Sequence, residues 1–173
     1  MALRNRTQTP PIPHTDVEPE IHRLVRTANA EAVAIVFKRD TLEVTVDADP
    51  LPSLDVLGEL TEAISDLVGG DLAVSVSTPG LDAPLTRPHH FARNRGHLIR
   101  ASVDGVEATY RLGALAADNS AINLIEGKGK KARVIPVELD RIDRATVEIE
   151  FSAVPAAEQQ LVDADFFSDT QTN

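Results

Sequence analysis

The side chains of this 173-residue sequence that are equipped for chemistry are mostly cations. Arg87, Arg93, Arg95 and Arg100 crowd into one stretch, and Lys128, Lys130 and Lys131 share a turn with Gly129. Cations on a short glycine-bearing turn suit phosphate, because they reach a charged backbone without having to read bases. Rings that stack on bases are scarce, with one Tyr, no Trp and five Phe, so RNA contact is expected to be electrostatic rather than sequence-reading. His89 and His90 are adjacent, which sends their side chains in different directions on a helix or a strand, and no partner stands at ligand spacing. No metal site is expected from them. Ser77 lacks the flanking glycines of a nucleophile elbow, and neither a phosphate-binding loop nor a dinucleotide glycine fingerprint occurs. Without a base, a nucleophile and an oxyanion donor there is no catalytic machinery to assemble. The expectation is a non-enzyme with no cofactor.

These cations must be positioned by elements on either side of the stretch Ser75-Val76-Ser77-Thr78-Pro79-Gly80-Leu81-Asp82-Ala83-Pro84-Leu85. Pro79-Gly80 predicts a type II turn, with Pro fixing φ at the first corner and Gly supplying positive φ at the second. Pro84 holds Ala83 extended. Asp82 is then either a turn-capping acceptor or a presented contact.

Charge divides at this connector. Between Val17 and Thr86 there are 13 acids against 4 bases, a net −9, whereas between Arg87 and Ala153 there are 9 acids against 11 bases, a net +2. Residues 154–173 add four acids and no base within a whole-chain charge of −10. An acidic module joined to a faintly basic one suits partners of mixed sign, such as a basic protein bound beside nucleic acid, although acidic surfaces also serve solubility alone. The absence of Cys excludes disulfides and thiolate metal sites, and fits a reducing compartment. No apolar run approaches the roughly 20 residues of a membrane span, and the N-terminus lacks a signal-peptide core. A soluble cytoplasmic protein is expected.

Along the chain, residues 1–15, with Pro10, Pro11 and Pro13, are expected to be a disordered tail. A helix begins at Asp16, tolerating Pro19 near its start and burying Ile21, Leu24, Val25 and Ala28. Two β runs, 31–38 and 41–48, form a hairpin across Arg39-Asp40. Ser53 caps a second helix, whose face of Asp55, Glu59, Glu62 and Asp66 is read as solvated, with a binding surface as the alternative; Gly69-Gly70 ends it. A third strand follows at 72–77. The first module, 16–86, is therefore an α-β-β-α-β sandwich. In 87–153, strands at 97–103 and 106–112 meet across Asp104-Gly105, a strong hairpin signal. Strands at 120–126 and 131–138, a helical turn at 139–144 and a last strand at 145–151 complete a small five-stranded barrel. Residues 154–173 read as an acidic flexible tail. The fold class is α+β in two domains.

This order of elements and its connector resemble the bacterial ribosome maturation factor RimP family. The resemblance rests on Ser77-Thr78-Pro79-Gly80-Leu81-Asp82-Ala83-Pro84-Leu85, similar to the family's Ser-Ser-Pro-Gly-Leu-Asp-Arg-Pro-Leu. It continues through Phe91, Arg93 and Gly96 and the closing Pro136-Val137-Glu138-Leu139-Asp140-Arg141-Ile142-Asp143-Arg144-Ala145, with Leu60 to Ser65 standing where the family has its second helix. Thr78 for Ser keeps a hydroxyl, Ala83 for Arg removes a cation, and the first half lacks the family's longer hairpin region, as in a diverged member of actinobacterial type. The resemblance implies an Sm-like barrel for the second domain. It also implies a role in maturing the small (30S) ribosomal subunit, with binding to immature subunits and to protein twelve of that subunit. A monomer is expected, with ribosomal RNA as a further contact through the arginines and lysines named above. The motif residues Ser77, Thr78, Pro79, Gly80, Leu81, Asp82 and Pro84 are then partner-binding or domain-junction positions; Leu81, which the turn chemistry leaves unexplained, is expected to pack at the domain junction. The alternatives are a general RNA-binding module without a ribosomal role and an adaptor that binds protein alone.

Overall fold

The computed structural model describes residues 14–70 and 72–167. The expected disordered N-terminal segment therefore lies outside the described residues up to position 13, as does the end of the chain from 168. The chain divides into two compact units, with the boundary between Pro79 and Gly80.

In the first unit, helix α1 (His14–Thr27) already runs at His14, two residues ahead of the expected start, so Asp16 lies in its first turn. Val17, Ile21 and Val25, four residues apart, are fully buried along one side of it, which is the period of a helix packed on one face. Strands β1 (Glu31–Phe37) and β2 (Thr41–Asp47) pair antiparallel, and β2 pairs parallel with β3 (Ala73–Ser77), giving the order β1-β2-β3. The parallel pair requires a crossover, supplied by α2 (Leu54–Val68). The Ser53 hydroxyl accepts from the Val56 N–H, and Gly69 closes the helix at φ 80°. Leu42, Val44 and Val46 of β2 join Leu60, Ile64 and Val68 of α2 and the α1 stripe in one core.

The second unit starts earlier than the charge pattern suggests, because residues 80–86 pack with it. The Leu85 N–H donates to the Ala145 carbonyl at 2.8 Å, and Leu85 lies against the core of this unit. Helix α3 (Pro88–Arg93) is followed by strands β4 (Leu98–Val103), β5 (Val106–Leu115), β6 (Ala121–Glu126), β7 (Arg133–Glu138) and β8 (Ile142–Val147). Their order is β7-β6-β5-β4-β8, all pairs antiparallel. Five strands are present, but the sheet is open: among the described residues no pairing joins β7 to β8. A 3-10 turn at Leu139–Arg141 carries the chain to the far side of β4, where β8 becomes an edge. The last strand lies at 142–147 rather than 145–151. The alternation of Val147, Ile149 and Phe151 is that of a strand, but β4 begins at Leu98, and pairing ends where the Glu148 N–H donates to the Leu98 carbonyl. Phe151 is consequently 97% exposed.

The expected flexible acidic tail is another departure. Residues Ala156–Asp163 form helix α4, with Glu158 and Val162 buried. Among the described residues, no helix is long and apolar enough to cross a membrane.

Candidate functional site

The connector takes a different turn from the one its Pro-Gly pair predicts. Gly80 is not in the positive-φ region, and the hydrogen bond runs from the Ala83 N–H to the Gly80 carbonyl at 3.0 Å, which puts Leu81 and Asp82 at the corners. Ser77 is the last residue of β3, registered with Thr45. Leu81 is 65% exposed, beside a groove of about 780 Å³ within the second unit that is also lined by Val147, Ile149, Val154 and Val162. Asp82 and Pro84 are exposed as well.

The arginines of the basic stretch are mostly engaged in structure. Arg87 precedes α3 and Arg93 ends it, and neither is free of partners. Arg95 is committed to α4: its Nε donates to the Val162 carbonyl at 2.8 Å, and its Nη2 to the carbonyls of Val162 and Ala164. It thus caps the helix C-terminus, where carbonyls lack partners and the dipole favours a cation. Arg100 pairs with Glu148 at 2.8 Å, with Glu107 nearby at 3.7 Å. His90, buried, accepts at Nδ1 from the N–H groups of Thr86 and Arg87 at 3.0 and 3.2 Å, so it braces the entry to α3.

The lysines behave differently. Lys128, Lys130 and Lys131 are all exposed on a 3-10 turn, Gly129–Lys131, between β6 and β7. Among the described residues none of them pairs with a carboxylate within 4 Å, whereas Arg133 beyond the turn pairs with Glu126 at 2.5 Å. The turn is tightly built. Gly127 sits at φ 89°, and a Cβ there would lie 2.8 Å from the Lys131 carbonyl oxygen, so no other residue fits without strain.

Beneath this turn lies a buried ionic network that composition gave no hint of. Arg111 on β5 is 3% exposed, and Glu158 on α4 is also 3% exposed. Arg111 Nε donates to Glu158 Oε2 at 2.8 Å; its two terminal nitrogens hold Glu150 at 2.7 and 2.8 Å, and Nη1 also reaches the Gly96 carbonyl at 2.9 Å. Glu158 Oε1 accepts from the Gly129 N–H at 2.8 Å. The Glu150 bond, followed by the Glu158 bond, holds the Arg111 guanidinium more firmly protonated than usual against the opposing effect of burial. The same bond holds Glu150 below the ordinary carboxylate range. A third anchor lies at the end of the segment, where the Asn123 amide, 1% exposed, donates to the Phe167 carbonyl and accepts from its N–H in the orientation its neighbours require. The only signal for this network in the sequence is Arg111 itself, a charge between Tyr110 and Leu112 in the half of β5, from Tyr110 to Leu115, that is otherwise without charge.

The fold is thus a mixed α+β chain of two units, the second carrying an exposed lysine turn braced from inside. Comparison with known proteins places it further. No model of a known protein family matches the chain. Individual relatives do match, among them several named "Ribosome maturation factor RimP". The chain is 35% identical to that of Corynebacterium diphtheriae over 133 residues, covering 70% of this chain and 72% of the relative. It is 33% identical to that of Corynebacterium aurimucosum over 135 residues, covering 70% and 72%, and 34% identical to that of Corynebacterium kroppenstedtii over 146 residues, covering 71% and 77%. The chain belongs to the RimP family.

Proposed function

We propose that this chain is a ribosome maturation factor that assists assembly of the small ribosomal subunit by binding immature subunits. The observation that carries the reading is the kinship over seven-tenths of both chains with proteins named for ribosome maturation. Protein twelve of the small subunit is the protein partner, by the resemblance of the connector motif. The acidic first unit offers it a surface: Asp55, Glu59, Glu62 and Asp66 are all exposed along α2, at spacings that put them on one side of the helix, and α2 contains no basic residue. The lysine turn of the second unit faces ribosomal RNA phosphate. On this reading the protein is non-enzymatic, monomeric and cytoplasmic, and its second unit is an Sm-like module. The last point is supported by five short strands of which the fifth returns beside the first.

The test is co-sedimentation with immature and mature small subunits across a salt series. Preferential binding to immature subunits is expected. Equal binding to both, or none at low salt, refutes the reading. The exposed lysine turn also supports a second reading, a general RNA-binding module; it predicts comparable binding to unrelated RNA with a steep salt slope.

A further inference from the structure

The carboxylate of Glu158 is placed to control the lysine turn. Its Oε1 holds the Gly129 N–H at 2.8 Å from below, in the middle of the basic run. Above that bond the turn closes on itself, the Lys131 N–H donating to the Lys128 carbonyl and the Ala132 N–H to the Gly129 carbonyl, each at 3.1 Å. Gly127 and Gly129 both take positive φ. A turn with two such glycines would sample many backbone states on its own, because glycine loses more freedom on ordering than any other residue. Here its backbone is fixed from the buried side, and Lys128, Lys130 and Lys131 point to solvent. Glu158 is paired with Arg111 on the inner side, so its charge is answered there and the lysines keep theirs for a ligand. Helix α4 is in turn held by Arg95 at its C-terminus and by Asn123 at Phe167.

We propose that Glu158 is a positioning residue for RNA binding: it anchors the Gly129 amide so that three lysines are presented to successive phosphates in a preformed turn. The C-terminal helix is then part of the RNA-binding apparatus without touching RNA. The inference rests on the reading of the turn as an RNA contact. A preformed turn binds more tightly than a mobile one because its ordering is already complete before the ligand arrives.

The experiment titrates fluorescent single-stranded polyuridylate against the full chain at several salt concentrations. It compares the unaltered protein with Glu158→Gln and with a triple variant, Lys128→Ala, Lys130→Ala and Lys131→Ala. Gln keeps the shape, but its amide nitrogen cannot accept, so one of the two bonds to Gly129 and Arg111 is lost. Exchange of the Gly129 amide and the fluorescence of Tyr110 are followed in parallel, the first for the turn and the second for the fold. Should the Gln variant fail to fold, Glu158→Asp, one methylene short of the Gly129 amide, makes the same comparison. The triple variant is expected to lose binding together with a salt slope of about 2, at roughly 0.7 per phosphate on a single strand. Glu158→Gln is expected to speed Gly129 exchange and to weaken binding about tenfold, the order expected when about one backbone residue must be ordered on binding, with the salt slope unchanged because the lysines remain. Faster Gly129 exchange with affinity unmoved overturns the proposal and leaves the RNA reading standing. No binding by the unaltered protein at low salt, or undiminished binding by the triple variant, overturns the reading of the turn and this inference with it.

Discussion

Replacing Arg111 should destabilise the second unit more than any surface change, and the structure gives the scale. Arg111 makes four hydrogen bonds, two to Glu150, one to Glu158 and one to the Gly96 carbonyl. Removing one partner of a buried ion pair costs about 3–5 kcal/mol, because the other charge stays buried without its counter-ion. Two features favour the low end. Glu158 keeps the Gly129 N–H, and Glu150, 20% exposed, can recover water. A loss of about 3 kcal/mol is therefore expected for Arg111→Met, which at about 4–8 °C per kcal/mol in a domain of this size lowers the melting midpoint by about 12 °C or more. The assay is unusually selective. Tyr110, next to Arg111, is the only tyrosine, and there is no Trp, so intrinsic fluorescence reports on the second unit alone. The cycle is completed by Glu158→Leu and by the double variant. Substituting Arg111 and Glu158 together with apolar residues removes the more deeply buried of the two stranded carboxylates and leaves only Glu150, which can reach water, so the double variant should melt closer to the unaltered protein than Arg111→Met does. If Arg111→Met changes stability by less than about 0.5 kcal/mol, or if the two single losses simply add, the network does not hold α4 and the reasoning fails.

Other outcomes follow from the same geometry. Gly127→Ala forces a side chain into positive φ against the Lys131 carbonyl and should cost at least about 1–2 kcal/mol in urea unfolding followed by Tyr110; a neutral result would mean that the turn is built otherwise. Acid should weaken the second unit. Arg111 depresses Glu150 in the folded state, so this stabilisation is complete above the ordinary glutamate value of about 4.3 and is lost as pH falls through the lower folded value. Melts between about pH 3 and 6 should show that fall, flattened in Arg111→Met. Ser53→Ala removes the α2 cap, whose 3.4 Å bond is long, and should cost the first unit about 0.5 kcal/mol, the low end for such caps, by circular dichroism. Leu81→Ser, at an exposed corner, should change stability by less than about 0.5 kcal/mol in either direction; a larger loss would show that Leu81 is packed in solution.

Features whose causes lie within a few residues are legible in the order of the amino acids alone. Ile21, Leu24, Val25 and Ala28 repeat at the period of a helix, Leu42, Val44 and Val46 at the period of a strand, and Asp104-Gly105 and Ser53 mark a turn and a cap by local hydrogen-bond chemistry. The connector motif, read with Phe91 to Gly96 and the run from Pro136 to Ala145, pointed to the family that the relatives identify. The remaining features depend on partners far apart in the chain. Glu158 reads as one more acid in a polar tail until Arg111, 47 residues away, makes it a buried anchor. The local pattern of Val147, Ile149 and Phe151 holds for a strand only as far as β4 is there to pair with it. Arg95 and Arg100 look like free cations in a list of charges, but the α4 carbonyls and Glu148 occupy them. Lys128, Lys130 and Lys131 stay exposed because the carboxylate beneath their turn holds its backbone rather than their charges. Local propensity is fixed by neighbours in sequence; whether a charge is presented or neutralised is fixed by neighbours in space, and the functional surface depends on the second.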